Sequence, residues 1–150
     1  MGLTGAVAGD WPAPDALTVE LHRWSAVPFV WGQTDCVLVL ADWVARVTGV
    51  DPAAAVRLTY TDAAECQKAT GFLRDPVGTL DRFAAAAGLS RADRPARGDV
   101  AVIRRHHDPR WPVGALWLGE CWACKGPDGV TTLRPALAQV LAVWGVGYAA

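Results

Sequence analysis

The stretch Pro28-Phe29-Val30-Trp31-Gly32-Gln33-Thr34-Asp35-Cys36 runs directly into a segment that is apolar on nearly every face. This segment, from about Asp35 to Thr48, predicts a central buried helix with Thr34 as its N-cap and Gly49 as its C-terminal stop. Cys36 would then lie in the first helical turn, where unpaired backbone N–H groups and the helix dipole favour a thiolate. Cys36 is therefore the candidate nucleophile of a hydrolase, and a buried core cysteine is the alternative.

Further helix signals fill the first half of the chain, and residues 1–11 read as an extended arm. Caps, prolines and apolar spacing predict helices from Pro12 to Trp24, from Asp51-Pro52 over a short stretch, from Thr61-Asp62 to near Gly71, and from Pro76 to Ala87 with Gly88 closing it.

The pattern changes to strands after Arg97-Gly98-Asp99. Short runs rich in branched and aromatic residues predict strands at Val100–Ile103, Ala115–Leu118, Cys121–Cys124, Val130–Leu133 and Val143–Tyr148, with a short helix from Pro135 to Leu141. Helices followed by strands predict an α+β fold, in which the central helix packs on a small antiparallel sheet. At 150 residues the chain fits a single domain, 1–150.

The composition predicts an apolar surface. The chain is 52% hydrophobic and only 19% charged, and it contains eight tryptophans. Tryptophans are enriched where partner subunits bury them, which favours an assembly component, although they also fill cores.

The charge pattern argues against two classes of partner. A net charge of −1 without a basic stripe makes nucleic acid an unexpected ligand. The start of the chain, Met1 to Asp10, has no basic segment followed by a long apolar run, and Val37 to Val47 is too short to span a bilayer. We expect no membrane insertion and synthesis in the cytoplasm, with all four cysteines reduced.

A cysteine nucleophile needs a base, usually a histidine. The chain has three, His22, His106 and His107. His106 and His107, in the loop from Arg104 to Trp111, are the candidate bases if that loop folds back on Cys36. The alternative is that they belong to a solvated turn.

The Cys121-Trp122-Ala123-Cys124 pair predicts neither redox nor metal chemistry. A thioredoxin-like dithiol needs its first cysteine at a helix N-terminus, whereas these flanks indicate a strand. No second paired spacing exists, as a zinc ribbon would require. We expect no cofactor and no metal, and we expect Cys66, Cys121 and Cys124 to act as small buried hydrophobic residues.

The residues from Pro28 to Cys36 resemble the opening signature of the NlpC-type cell-wall peptidases, in which an aromatic residue and a Trp-Gly pair precede Asp-Cys at the central helix. Gly98-Asp99-Val100 resembles the strand entry of that family, and Ala115-Leu116-Trp117-Leu118-Gly119 occupies the place of its second strand. The resemblance covers residues 24 to about 124. It implies a papain-like fold, with Cys36 attacking peptidoglycan and with Trp31 and Gln33 contacting the substrate.

The chain departs from the family at its polar positions. No imidazole occurs around Pro112 to Trp117, where the family base is expected, and Phe29 replaces a tyrosine. Val37-Leu38 replaces a Ser-Gly pair. Because general-base help is worth about 10²- to 10⁴-fold in rate, these departures predict poor turnover.

A resemblance over nearly the whole chain links it to short proteins encoded among the tail genes of long-tailed bacteriophages and gene transfer agents. They carry Trp, Pro-Phe-x-Trp-Gly-x-x-Asp-Cys, Thr-Gly-x-Asp and Gly-Asp-Val in this order and end in an Ala-Trp before a final strand. The corresponding features here are Trp24, Pro28–Cys36, Thr48–Asp51, Gly98–Val100 and Ala142-Val143-Trp144. This resemblance implies a tail-tip or baseplate component of the virion, beside the hub and distal tail proteins.

The sequence therefore predicts a structural tail-tip component with a degenerate NlpC-like fold. The rival is an active cell-wall cysteine peptidase that assists genome entry, using Cys36 with His106 or His107. A third candidate is a stand-alone cytoplasmic thiol amidase.

Overall fold

The computed structural model describes residues 14–149, which form four α-helices, six strands and one short 3₁₀ turn. The helices are α1 (Ala16–Ala26), α2 (Leu38–Thr48), α3 (Ala63–Thr70) and α4 (Pro76–Ala86), and the strands are β1 (Ser90–Arg91), β2 (Val100–Arg105), β3 (Asp108–Trp117), β4 (Trp122–Gly126), β5 (Gly129–Leu133) and β6 (Ala138–Gly145). The α+β class predicted from the sequence is confirmed. The predicted arm and the first residues of the predicted first helix lie outside the described residues.

The strands form one sheet in the order β1-β6-β2-β3-β4-β5, and every pair is antiparallel. Strands β2 and β3 extend further than the sequence predicted, until Arg105 pairs with Asp108. The turn between them is therefore reduced to His106 and His107.

Helix α2 packs on this sheet, as predicted. Its side chains share one buried cluster with residues of α1, α4 and four strands, including Trp43, Val102 and Trp144. Alternate positions of the same strands, such as Ala101 and Ile103, form a second buried cluster with residues of β3 to β6. The sheet therefore buries side chains on both faces, as its apolar strands require.

The predicted cap of α2 is wrong by one residue. Oδ1 of Asp35, rather than Thr34, accepts hydrogen bonds from the backbone N–H groups of Val37 (3.1 Å) and Leu38 (3.0 Å). The Thr34 hydroxyl instead donates to the Pro28 carbonyl and accepts from the Val30 N–H, so it closes the preceding turn. Cys36 consequently precedes the helix rather than lying within its first turn.

The predicted helix stops are confirmed. Gly49 and Gly71 adopt left-handed φ values of 82° and 77° after α2 and α3, and Gly88 (φ 73°) follows α4. Asp62 caps α3 by accepting from Glu65 N–H, which is the start that Thr61-Asp62 predicted.

Two predicted helices are wrong. Asp51-Pro52 begins a series of turns rather than a helix. The segment ends at Leu58, which adopts a left-handed φ of 63° and donates its N–H to the Gly32 carbonyl, and neither feature is compatible with a continuous helix. The segment from Pro135 makes only a 3₁₀ turn to Leu137 before β6 begins. Pairing of β6 with β2 overrides the local helix signal in that segment.

The tryptophans divide between core and surface. Trp24, Trp43, Trp122 and Trp144 are fully buried, and Trp111 is 46% exposed. Core filling therefore accounts for four of the seven tryptophans within residues 14–149, and Trp11 lies outside the described residues. Within residues 14–149 no helix has the length and apolar character needed to cross a membrane.

Candidate functional site: an apolar cavity beside Cys36

Cys36 lines a cavity of about 400 Å³. Its walls come from the segment before α2, from α3, from the β2–β3 hairpin and from the turn between β4 and β5. Most of this wall is apolar, and the aromatic residues that line it are Phe29, Trp31, Tyr60, Phe72, Phe83 and Trp111. A concave apolar site of this size is typical of ligand pockets in proteins.

Asp35 fixes the loop that carries Cys36. It is almost fully buried, and its Oδ2 accepts hydrogen bonds from the Tyr60 hydroxyl (2.7 Å) and the Gly32 N–H (3.0 Å). Gly32 is required here, because it has a φ of 80° and a Cβ would lie 2.2 Å from the Tyr60 carbonyl oxygen. Both oxygens of the Asp35 carboxylate therefore accept hydrogen bonds that hold the local structure.

The thiol of Cys36 is held in its protonated form. Burial, and then the negative charge of Asp35, raise its pKa from about 9 to about 12, against a smaller opposing effect of the Gly114 N–H. The sequence-based expectation of a thiolate is therefore wrong. The backbone N–H groups at the start of α2, which could stabilise a Cys36 thiolate, already donate to the Asp35 carboxylate. The negative charge of that carboxylate also disfavours a thiolate beside it.

No histidine lines the cavity within residues 14–149. His106 and His107 are exposed on the two-residue turn between β2 and β3, where the His106 N–H donates to the Leu137 carbonyl. His22 is exposed on α1. Both candidate bases therefore lie outside the cavity wall, although Arg105 and Asp108 on either side of them line it.

The two predicted substrate contacts are separated. Trp31 lines the cavity and packs edge-on against Phe29, with ring centroids 5.2 Å apart. Gln33 is exposed and lies outside the cavity wall. Phe29 contributes only apolar surface to this wall.

Three thiols contribute to the cavity wall, from Cys36, Cys66 and Cys124. All four cysteines are free, and no cluster of three His, Cys, Asp or Glu side chains in the described part of the chain has metal-binding geometry. Cys66 and Cys124 are buried, as predicted, whereas Cys121 is only partly buried and lies just before β4.

A buried lysine on the same wall was not identified from the sequence. Lys125 is 3% exposed, and its ammonium donates to the carbonyl oxygens of Trp24 (2.6 Å) and Val27 at the end of α1. Burial lowers the pKa of this ammonium. A charged residue directly after the apolar run Trp122–Cys124 was the one available signal in the sequence.

A second missed group lies at the end of β2. Arg105 lines the cavity, and its Nε is buried without a hydrogen-bond partner among the described residues. A terminal nitrogen of its guanidinium lies 3.9 Å from Oδ2 of Asp108 across the hairpin. In the sequence this residue belongs to an Arg-Arg-His-His run that is typical of a solvated turn.

The fold and this site define a small α+β domain with a protonated cysteine on the wall of an apolar cavity. The family described as "Domain of unknown function (DUF6950)" matches residues 9–146, and the chain belongs to that family. No curated protein and no solved structure matches the sequence.

Proposed function

We propose that this chain is a structural component of the tail tip or baseplate of a bacteriophage or gene transfer agent, built on a degenerate NlpC-type, papain-like domain. It is made in the host cytoplasm and incorporated into the virion beside the hub and distal tail proteins. The main support for a loss of catalytic activity is the surroundings of Cys36. Its thiol has a raised pKa, and no histidine within residues 14–149 lines the cavity beside it.

The sequence motifs of the tail-tip resemblance support the location. In the structure the Pro28–Cys36 motif contributes Phe29, Trp31, Asp35 and Cys36 to the cavity wall, and Gly98-Asp99 leads directly into β2. The Trp43 indole donates to the Gly98 carbonyl at 2.8 Å, and Oδ1 of Asp99 accepts from Val146 N–H at 3.0 Å. These motifs therefore hold the domain together, which is a reason to retain them in a scaffold that has lost its chemistry.

The surface also supports an assembled state. Side chains of Leu58 and Trp111 are 75% and 46% exposed, and Leu137 and Val140 are exposed near the start of β6. Burying such side chains against neighbouring subunits is favourable, because each removes apolar area from water.

Complementation in a producing strain tests the proposal. Particles made without this gene are expected to lack a functional tail tip, and both the wild-type gene and a Cys36→Ala variant should restore the same infectivity. Mass spectrometry of purified particles should detect the chain in both cases. Full infectivity without the gene, or absence of the chain from particles, would contradict the tail-tip location.

The cavity beside Cys36 favours one second candidate, an active cell-wall cysteine peptidase with peptidoglycan as its substrate. This function requires the β2–β3 turn to bring His106 or His107 to the sulfur. Incubating the purified chain with peptidoglycan fragments, beside Cys36→Ala, separates the two functions. The structural proposal predicts no Cys36-dependent cleavage, and the peptidase predicts cleavage that is lost in Cys36→Ala and in one histidine variant.

A further inference from the structure

The charged groups on the cavity wall differ in whether they have partners. Both oxygens of Asp35 accept hydrogen bonds from the protein, and the Lys125 ammonium donates to two carbonyls at the end of α1. Neither group has an evident need for a ligand.

Arg105 is the exception. Its Nε is buried from water and has no acceptor within residues 14–149, although the side chain as a whole is 25% exposed. Asp108 also lines the cavity, but it does not satisfy this Nε. Its Oδ2 comes no closer than 3.9 Å, to a terminal nitrogen of the guanidinium, and its Oδ1 lies 3.4 Å from Nε of Arg110. A guanidinium N–H that is withdrawn from water without an acceptor is costly, and an anionic oxygen is its strongest partner.

The surroundings of Arg105 specify the rest of a ligand. Phe29 and Trp31 provide an aromatic wall, and Trp111 lines the cavity while remaining partly exposed. A volume of about 400 Å³ accommodates a small molecule rather than a folded partner. An apolar body would displace water from this wall with a gain in free energy.

We propose that the cavity binds a small carboxylate with an apolar body, whose carboxylate accepts hydrogen bonds from Arg105 and whose body packs against Phe29 and Trp31. This inference does not depend on the tail-tip assignment, because it concerns only the cavity. It makes the domain a ligand-binding module in addition to a structural one.

Decanoate and decanol are suitable probes, because they share a ten-carbon chain and differ in the anionic head group. Isothermal titration calorimetry on the full chain should show one decanoate site. The quenching or shift of tryptophan fluorescence should report the same binding event, since Trp31 and Trp111 line the cavity. Decanol should bind at least about tenfold more weakly, a difference of about 1.4 kcal/mol.

Arg105→Met is the test variant, and Arg104→Met is its matched control. Arg104 is the adjacent residue, but its guanidinium donates to the carbonyls of Pro109 and Arg110 and does not line the cavity. Arg105→Met should lose about tenfold or more in decanoate affinity and keep its decanol affinity. Arg104→Met should bind both probes as the wild type does.

Several results would overturn the proposal. These are no decanoate binding by the wild type, equal affinity for decanoate and decanol, and decanoate binding that survives Arg105→Met. Near-UV circular dichroism establishes whether each variant is folded. If Arg105→Met does not fold, the wild-type preference for decanoate over decanol decides the matter.

Discussion

The hydroxyl of Tyr60 donates a 2.7 Å hydrogen bond to Oδ2 of Asp35, across a separation of 25 residues. This contact fixes the carboxylate that precedes Cys36, and the other oxygen of that carboxylate caps α2. Asp35 therefore has two consequences for the cysteine. It takes up the helix N-terminal amides that would favour a thiolate, and it places a negative charge beside the thiol.

Replacing Asp35 by Asn should lower the pKa of Cys36 from about 12, because the neighbouring negative charge is removed. The pKa should stay above the usual value near 9, since burial is the larger cause of the shift. The rate of alkylation by iodoacetamide, followed as a function of pH on the folded protein, measures this change.

The same variant should lose about 1–3 kcal/mol of stability. An amide nitrogen in place of one carboxylate oxygen is a donor only and cannot accept the hydrogen bonds that Tyr60 and Gly32 donate to Oδ2. Asp62→Asn is the matched control. Asp62 caps α3 in an exposed position, where Asn is an equivalent cap, so urea unfolding should show a change within about 0.5 kcal/mol. Equal losses in both variants would contradict the role assigned to Asp35.

The protein should lose stability as the pH rises from about 9 to about 12. The Cys36 thiol has its pKa raised to about 12 in the folded chain, so in this window the unfolded chain ionises and the folded chain does not. The unfolded state then binds fewer protons, which makes the stability fall with pH. Cys124, with its pKa raised to about 11 by burial, contributes in the same direction over a narrower window.

Cys36→Ser removes the contribution of Cys36 and should make the alkaline decline in the free energy of unfolding shallower, while the contribution of Cys124 remains. Urea unfolding at a series of pH values measures the slopes of both proteins. Below pH 9 the two curves should run parallel, since neither state of Cys36 ionises there. Identical slopes above pH 9 would show that the Cys36 thiol is not buried as described.

Gly114→Ala should destabilise the domain by about 1–3 kcal/mol, because the added Cβ would lie 2.7 Å from both the Cys36 carbonyl oxygen and Leu40 Cδ1. Strand β3 would have to separate from the start of α2. Gly145→Ala in β6 is the control, since its Cβ would meet nothing closer than 4.0 Å. Thermal unfolding of the pair should show a clear loss for Gly114→Ala only.

Glu20→Ala should cost about 2–3 kcal/mol in the free energy of unfolding. The Glu20 side chain is fully buried, and it accepts from the Trp24 indole (3.1 Å) while pairing with Arg23 of α1 and with Nε of Arg46 of α2 (3.0 Å). Glu120→Ala, at an exposed loop position, should change stability by less than about 0.5 kcal/mol. A small effect at Glu20 would mean that the ion pairs do not bridge the two helices in solution.

The parts of the fold that local signals specify could be predicted from the sequence. The apolar run to Thr48 identified α2, the glycines at 49 and 71 identified the helix ends, and Gly98-Asp99 identified the start of β2. The start of β6 could not be predicted, because it depends on pairing with β2 more than 30 residues earlier in the chain. The local sequence near Pro135 favours a helix, but the pairing of β6 with the distant strand β2 outweighs this preference.

The site was only partly predictable for the same reason. The Pro28–Cys36 motif contains Trp31 and Cys36, which line one cavity, and Gln33, which does not. Arg105 and Lys125 lie in stretches of sequence that are typical of solvated turns. Their charged atoms become buried only when the β2–β3 hairpin closes around Arg105 and the end of α1 packs against Lys125. The state of the Cys36 thiol depends on this burial, which a helix-start signal does not report.

The ammonium of Lys125 partners the carbonyl of Trp24, 101 residues earlier in the chain. During synthesis the last turn of α1 therefore leaves the ribosome long before its partner does, and its carbonyls must remain hydrated until the β4–β5 hairpin has been translated. The end of the N-terminal helix therefore cannot complete its native contacts until Lys125 has been synthesised, and a nascent chain halted before Lys125 presents an unfinished core to chaperones and proteases.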